Sequence, residues 1–287
     1  MKYGIVYAYW SKDWEGEYID TIYRCKRCGF DVLEIFTPLL LTQPESKLNE
    51  IKAAARDSGI ELAFLVGLPK EYDLSSGDSH VRERAIAYVS DLLRVVNYLG
   101  GHCFSGINYC AWSSFDGFDE KPRRRANSVS SIKTLAKRAE AYGISYNLEI
   151  TNRFEQYLLN TAKEAVDFVN EVDSPGVNIL LDAFHMNIEE DSMYDAITLA
   201  NGKLGHFHVG TNNRRPPREG LMNWGQIRDG LKKIAYDKII TLEPLVRTGG
   251  TVAADSKVWR DMTDNADDAA MDNAAIAGLN FMKNLMS

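Results

Sequence analysis

Cysteine is scarce in this chain, with four among 287 residues. That excludes a disulfide framework, and a chain of this length can bury a core without one. Cys25 and Cys28 have the two-residue spacing of metal knuckles and redox motifs, but Cys103 and Cys110 are spaced wrongly to complete a zinc knuckle. We read the pair as half-buried thiols at the end of a helix, and reduced cysteines fit a cytoplasmic protein. A basic excess is also lacking. Net charge is −7 and the lysines and arginines are scattered, so nothing forms an electrostatic footprint for nucleic acid. No apolar run is long enough to span a membrane, and Met1-Lys2-Tyr3-Gly4-Ile5 leads straight into a strand, which reads as no signal peptide. Linkers, low-complexity tracts and short repeats are absent. No strand is followed by Gly-x-Gly-x-x-Gly, which counts against a dinucleotide site.

What is present is a regular alternation of two periodicities. Short β-branched and aromatic runs predict strands over 5–9, 31–36, 61–66, 103–107, 145–150, 177–182, 204–209 and 239–245. Between them, amphipathic segments that stop at glycine or polar loops predict helices over 15–28, 46–58, 80–99, 122–142, 161–172, 192–201, 223–235 and 266–286. Strands that alternate with helices pair in parallel through right-handed crossovers. Eight such units over residues 1–287 predict one (β/α)₈ TIM barrel in a single domain. An open doubly wound sheet is the competitor, but it would spread the polar strand ends along a line, whereas a barrel gathers them at one mouth.

Gly205-His206-Phe207-His208-Val209-Gly210 is the centre of that pattern. Side chains alternate along a strand, so His206 and His208 share a face. Three other strands carry a carboxylate at or beside their C-terminal ends: Glu149, Asp182 and Glu243. Burying a bare carboxylate is costly unless it is paired or bound to a metal, and few basic residues lie in these strands. Three carboxylates and one imidazole form a hard, anionic donor set suited to Mn²⁺, Co²⁺ or Mg²⁺ rather than to a structural zinc. His206, one pleat deeper, reads as a hydrogen-bonded residue behind that set. Glu34, near the end of the second strand, is left without a role. Two glutamates on one ion would stay ionised at neutral pH, and on opposite sides of a substrate they could remove a proton from one face and return it to the other.

Longer motifs add to this. Glu149-Ile150-Thr151-Asn152-Arg153-Phe154-Glu155, Leu181-Asp182-Ala183-Phe184-His185-Met186 and Gly205-His206-Phe207-His208, together with Asn213-Arg214, Glu243-Pro244, Gly249-Gly250-Thr251 and Val258-Trp259-Arg260-Asp261, resemble those of ketose 3-epimerases such as the D-tagatose and D-psicose 3-epimerases. The resemblance runs from Tyr3 to the last helix. It implies a metal-dependent isomerase of carbohydrate metabolism that epimerises free ketoses at carbon 3 through a cis-enediolate. The substrates it implies are D-tagatose/D-sorbose and D-fructose/D-psicose, with L-ribulose a further candidate. It implies one divalent ion per subunit, Mn²⁺ or Co²⁺ with Mg²⁺ as a third candidate, held by Glu149, Asp182, His208 and Glu243, with Glu149 and Glu243 as the acid/base pair. Glu155, His185 and Arg214 would hold the substrate's oxygens at carbons 1 to 3. Trp14, Gly67, Gly106 and Trp112 would line the pocket. Val6 stands where an aromatic ring is usual, Leu245 where a phenylalanine is common, and Leu40, Leu41 and Leu65 where members vary; these are expected to touch the distal end of the sugar. Without the resemblance, Arg214 and Arg215 would read as a surface pair. A homodimer or homotetramer is expected, with no nucleic-acid or membrane partner. Three other readings compete: an aldose–ketose isomerase on the same barrel, an abasic-site nuclease, and a non-enzymatic sugar-binding protein. The nuclease would need more histidines than the five present and a basic groove.

Overall fold

Eight apolar runs form the strands β1 (Lys2–Val6), β2 (Val32–Phe36), β3 (Glu61–Leu68), β4 (Cys103–Ala111), β5 (Ser145–Ile150), β6 (Val177–Asp182), β7 (Leu204–Val209) and β8 (Ile239–Leu242). They pair in parallel in sequence order, and β8 returns to β1 to close the barrel. This is a computed structural model, and it describes residues 1–115 and 117–287. Around the barrel run α1 (Tyr18–Arg27), α2 (Glu45–Ser58), α3 (Ser79–Tyr98), α4 (Lys121–Ala141), α5 (Ala162–Val172), α6 (Ala183–Glu189), α7 (Met193–Leu199), α8 (Trp224–Lys233), α9 (Gly250–Ser256) and α10 (Asp268–Met286). The strands are near-continuous apolar runs because both faces are covered, one by helices and the other by the barrel's own interior.

Most strand boundaries fall close to those predicted from periodicity; three differ, two of them for identifiable reasons. The first strand is Lys2–Val6, and Tyr7–Tyr9 turn into a 3₁₀ segment whose hydroxyls leave the sheet for the Trp14 and Met271 carbonyls. β8 stops at Leu242 rather than at residue 245, since Pro244 has no N–H to give a ladder. β4 runs on to Ala111. Two helices were not anticipated, α6 and α9. Asp182 starts α6 by accepting the Phe184 N–H at 2.9 Å. Among the described residues no helix is long and apolar enough to cross a membrane.

The middle of the barrel interior is polar where aliphatic layers are usual. Ser105, Asn147, His206 and Thr241 are buried there and hydrogen-bonded in a chain. The Asn147 amide N–H donates to Ser105 Oγ at 3.2 Å, Ser105 Oγ meets His206 Nδ1 at 2.9 Å, and His206 Nε2 meets Thr241 Oγ1 at 2.8 Å. The pleat of β7 is set just before this layer. Ile179 pairs with Leu204 but Leu180 pairs with His206, so Gly205 is an extra residue on β7. A one-residue shift moves every following side chain to the other face. The bulge therefore decides that His206 and His208 point inward.

Candidate active site

The mouth of the barrel at the C-terminal strand ends gathers the four residues that strand alternation and the motifs singled out. Glu149 ends β5, Asp182 ends β6 directly opposite His208 on β7, and Glu243 follows β8. Each offers one ligand atom, and these atoms all lie within 4.8 Å of one another. All four side chains are buried. His208 Nδ1 lies 3.3 Å from Glu243 Oε2 and 3.8 Å from Glu149 Oε1, yet it has no properly formed hydrogen bond. Asp182 spends Oδ1 on its helix cap, so Oδ2 is the oxygen that meets its neighbours. A buried ring nitrogen left without a hydrogen bond beside three carboxylates fits a divalent cation, and oxygen-rich donors with one imidazole suit Mn²⁺, Co²⁺ or Mg²⁺.

Crowding like charges in a buried space splits their proton affinities. Burial and the Glu243 carboxylate push Glu149 well above the usual carboxylate range. Burial likewise lifts Asp182, to about 6. For Glu243 burial works in the same direction but is outweighed by His208 and Arg214, which hold it low. The opposite sides of His208 are unlike. Its Nε2 donates to Glu34 Oε2 at 3.0 Å.

Arg214 sits in the site rather than on the surface. Its Nη1 donates to Glu243 Oε2 at 2.6 Å and to Asp182 Oδ2 at 3.0 Å, and its guanidinium lies 4.1 Å from the Phe184 ring centroid. A left-handed backbone at Arg214, φ 61°, turns the chain inward. That turn is held by the Arg214 N–H to the Thr211 carbonyl and by the Leu245 N–H to the Arg214 carbonyl, both 2.9 Å. His185, on α6, accepts at Nδ1 from the Asn152 backbone N–H at 3.2 Å and the Asn152 amide at 2.8 Å. Burial and Arg214 keep the ring neutral. The remaining proton is then on Nε2, which faces Asp182 Oδ2 at 3.5 Å and Glu149 Oε1 at 3.8 Å. Glu155 accepts from the Trp112 indole at 3.3 Å and lies 3.6 Å from Arg214.

These groups open into one pocket walled by Trp14, Leu65, Gly67, Trp112 and Leu245. Trp14 stacks on Phe36 at 5.0 Å and meets Trp112 edge-on at 6.3 Å. Its indole N–H donates to Asp255 of α9 at 2.7 Å. Four residues expected at the pocket or its distal end do not line it: Val6, Leu40, Leu41 and Gly106. Val6 is buried and does not line the pocket. Gly106 does not line it either; Ile107 does. Gly106 has φ +113°, and a Cβ there would lie 2.1 Å from the Val66 carbonyl oxygen, so close backbone approach accounts for it. Phe36, Thr151 and Ser256 line the pocket without having been anticipated. Strand alternation from Glu34 could have found Phe36; Ser256 ends a helix with no local signal.

The chain matches the family model described as xylose isomerase-like TIM barrel over residues 22–272. It is 43% identical to the D-psicose 3-epimerase of Ruminiclostridium cellulolyticum over 99% of this chain and 97% of that protein. It is 30% identical to the L-ribulose 3-epimerase of Mesorhizobium japonicum over 84% of this chain and 81% of that one. The crystal structure of D-psicose 3-epimerase with D-tagatose from Clostridium cellulolyticum H10 superposes with a TM-score of 0.98 at 42% identity, covering 100% of both chains.

Proposed function

The chain belongs to the ketose 3-epimerases of the xylose isomerase-like TIM barrel family, and on that premise we propose that it interconverts free ketoses by inverting carbon 3. The pairs are D-tagatose/D-sorbose and D-fructose/D-psicose, with L-ribulose a further substrate. The observation that carries this reading is the buried meeting of Glu149, Asp182, His208 and Glu243 within 4.8 Å, beside a pocket that both glutamates line.

Glu149, Asp182, His208 and Glu243 would hold one divalent ion, Mn²⁺ or Co²⁺ with Mg²⁺ as the alternative. When bound, such an ion supplies a Lewis acid for the carbonyl at carbon 2 and for negative charge developing on oxygen. Glu149 and Glu243 do the proton work. One takes the proton from carbon 3, the electron pair moves into the carbon 2–carbon 3 bond as the carbonyl becomes an enediolate, and the other returns a proton to the opposite face. His185, with its proton on Nε2, and Arg214 donate to the oxygens at carbons 1 to 3. Glu155 accepts from a hydroxyl, and Trp112 and Asn152 hold its carboxylate in place. Trp14 and Trp112 offer aromatic faces to the apolar edge of the sugar. Leu65 and Leu245 bound the distal end. Phe115, Phe118 and Phe154 stand exposed on the loops after β4 and β5, which supports a homodimer or homotetramer. We place the enzyme in the cytoplasm.

The test is a panel of ketoses in D₂O with chelator-stripped protein and with the same protein reloaded with Mn²⁺, Co²⁺ or Mg²⁺. Epimerisation that needs the ion, with deuterium at carbon 3 of the product, is the expected result. Label at carbons 1 or 2 with aldose formed would make it an aldose–ketose isomerase. Stripped protein as fast as reloaded protein would remove the ion from the mechanism.

A further inference from the structure

We infer that Glu34 is a positioning residue of the ion site: it accepts a hydrogen bond from the Nε2–H of His208 and so holds the imidazole as the tautomer whose Nδ1 lone pair faces Glu149, Asp182 and Glu243. The inference rests on the metal-dependent reading above.

Four observations carry it. Glu34 Oε2 lies 3.0 Å from His208 Nε2, and the donor must be the imidazole because a carboxylate only accepts. The other ring nitrogen, Nδ1, is buried without a hydrogen bond and points at the carboxylate cluster. His206 does not compete for the bond, since Ser105 and Thr241 occupy its two nitrogens. Its ring stands edge-on to His208 at 4.7 Å and walls the imidazole into one orientation. Finally, Glu34 is fully buried and its Oε1 receives no hydrogen bond. The groups it pairs with are the imidazoles of His208, at 3.0 Å, and His206, at 3.8 Å. A carboxylate so placed is a poor way to fill a barrel interior. It is a good way to orient a ligand histidine, because a carboxylate on the far nitrogen fixes both the tautomer and the ring plane and raises the basicity of the near one.

The experiment compares the wild type with Glu34→Ala and Glu34→Gln. It measures Mn²⁺ and Co²⁺ dissociation constants by chelator competition, the visible spectrum of the Co²⁺-loaded proteins, and the melting temperature after chelation. Glu34→Ala should raise both dissociation constants about 10- to 100-fold and move the Co²⁺ bands. Glu34→Gln keeps a neutral acceptor of the same shape and should fall between the two; it carries the test alone if the alanine variant does not fold. Ion affinities within about twofold of wild type and superimposable Co²⁺ spectra would overturn the inference. So would lower melting temperatures with unchanged affinity, which would leave Glu34 a merely structural group. A wild type that binds neither ion would instead overturn the metal-dependent reading, so the two failures are distinct.

Discussion

A methyl group on Gly205 would lie 2.0 Å from Asn147 Oδ1, the side chain that crosses from β5 to hold Ser105. No side chain fits there, and Gly205 is also the bulge residue that turns His206 and His208 inward. Gly205→Ala should therefore cost more than ordinary overpacking, whose range is about 1–3 kcal/mol. It should weaken ion binding as well, because the histidine next to it carries the inner hydrogen-bond chain. Thermal unfolding and chelator competition check both. A variant with wild-type melting temperature and ion affinity would mean that β7 relaxes around the extra methyl group.

Glu149→Gln and Glu243→Gln should each lower turnover by roughly the 10²- to 10⁴-fold that a positioned acid or base supplies. If the two act from opposite faces, each variant should also exchange the carbon 3 proton of one epimer with solvent more readily than that of the other. Proton NMR of the recovered sugars in D₂O reads this directly. Equal exchange of both epimers in both variants would point to a single base.

Arg214 bridges Asp182 and Glu243 with one nitrogen, at 3.0 and 2.6 Å. Removing it leaves two buried carboxylates without that cation, a loss on the order of 3–5 kcal/mol when nothing replaces it. A bound divalent ion would replace most of that charge. The melting temperature of Arg214→Ala should consequently drop more in chelator than in saturating Mn²⁺, relative to wild type under each condition. Arg214→Lys should fare poorly in turnover too, since a point charge cannot bridge two carboxylates and approach Glu155 together. Equal drops with and without the ion would show that Arg214 and the ion do not share the same carboxylates.

Cys25, Cys28, Cys103 and Cys110 are buried free thiols. Burial pushes Cys28 up to about 11 and Cys103 up to about 12. A thiol released by unfolding titrates near 8.5. Between that value and 11–12 the unfolded chain has lost protons that the folded chain retains. Stability should thus fall as pH rises through this window, with the full contribution present below about pH 8. Native protein at pH 8 should react slowly with a disulfide reagent at all four thiols, and urea should release them together. Fast reaction of Cys25 or Cys28 in the native state would revive a redox role for the pair.

The barrel and its four converging side chains were legible in the sequence because they rest on local rules. Alternation along a strand puts His206 and His208 on one face, helical periodicity supplies the crossovers, and a parallel barrel brings all strand C-termini to one mouth whatever the loops do. Arg214 was legible only through the motif that contains it, because its inward turn depends on a left-handed residue stitched to Thr211 and Leu245. Glu34 could not be assigned at all. It meets His208 across the barrel from 174 positions away in the chain, and no spacing rule reaches that far. Val6 and Gly106 were expected at the pocket only through the resemblance, and neither lines it; which strand residues face the mouth is decided when the barrel closes. Sequence by itself thus determined the fold and which four donor side chains converge at its mouth, whose physics is periodic and short in range. Tertiary structure alone decided how those donors are aimed, since aim depends on contacts between strands that meet only when the barrel closes.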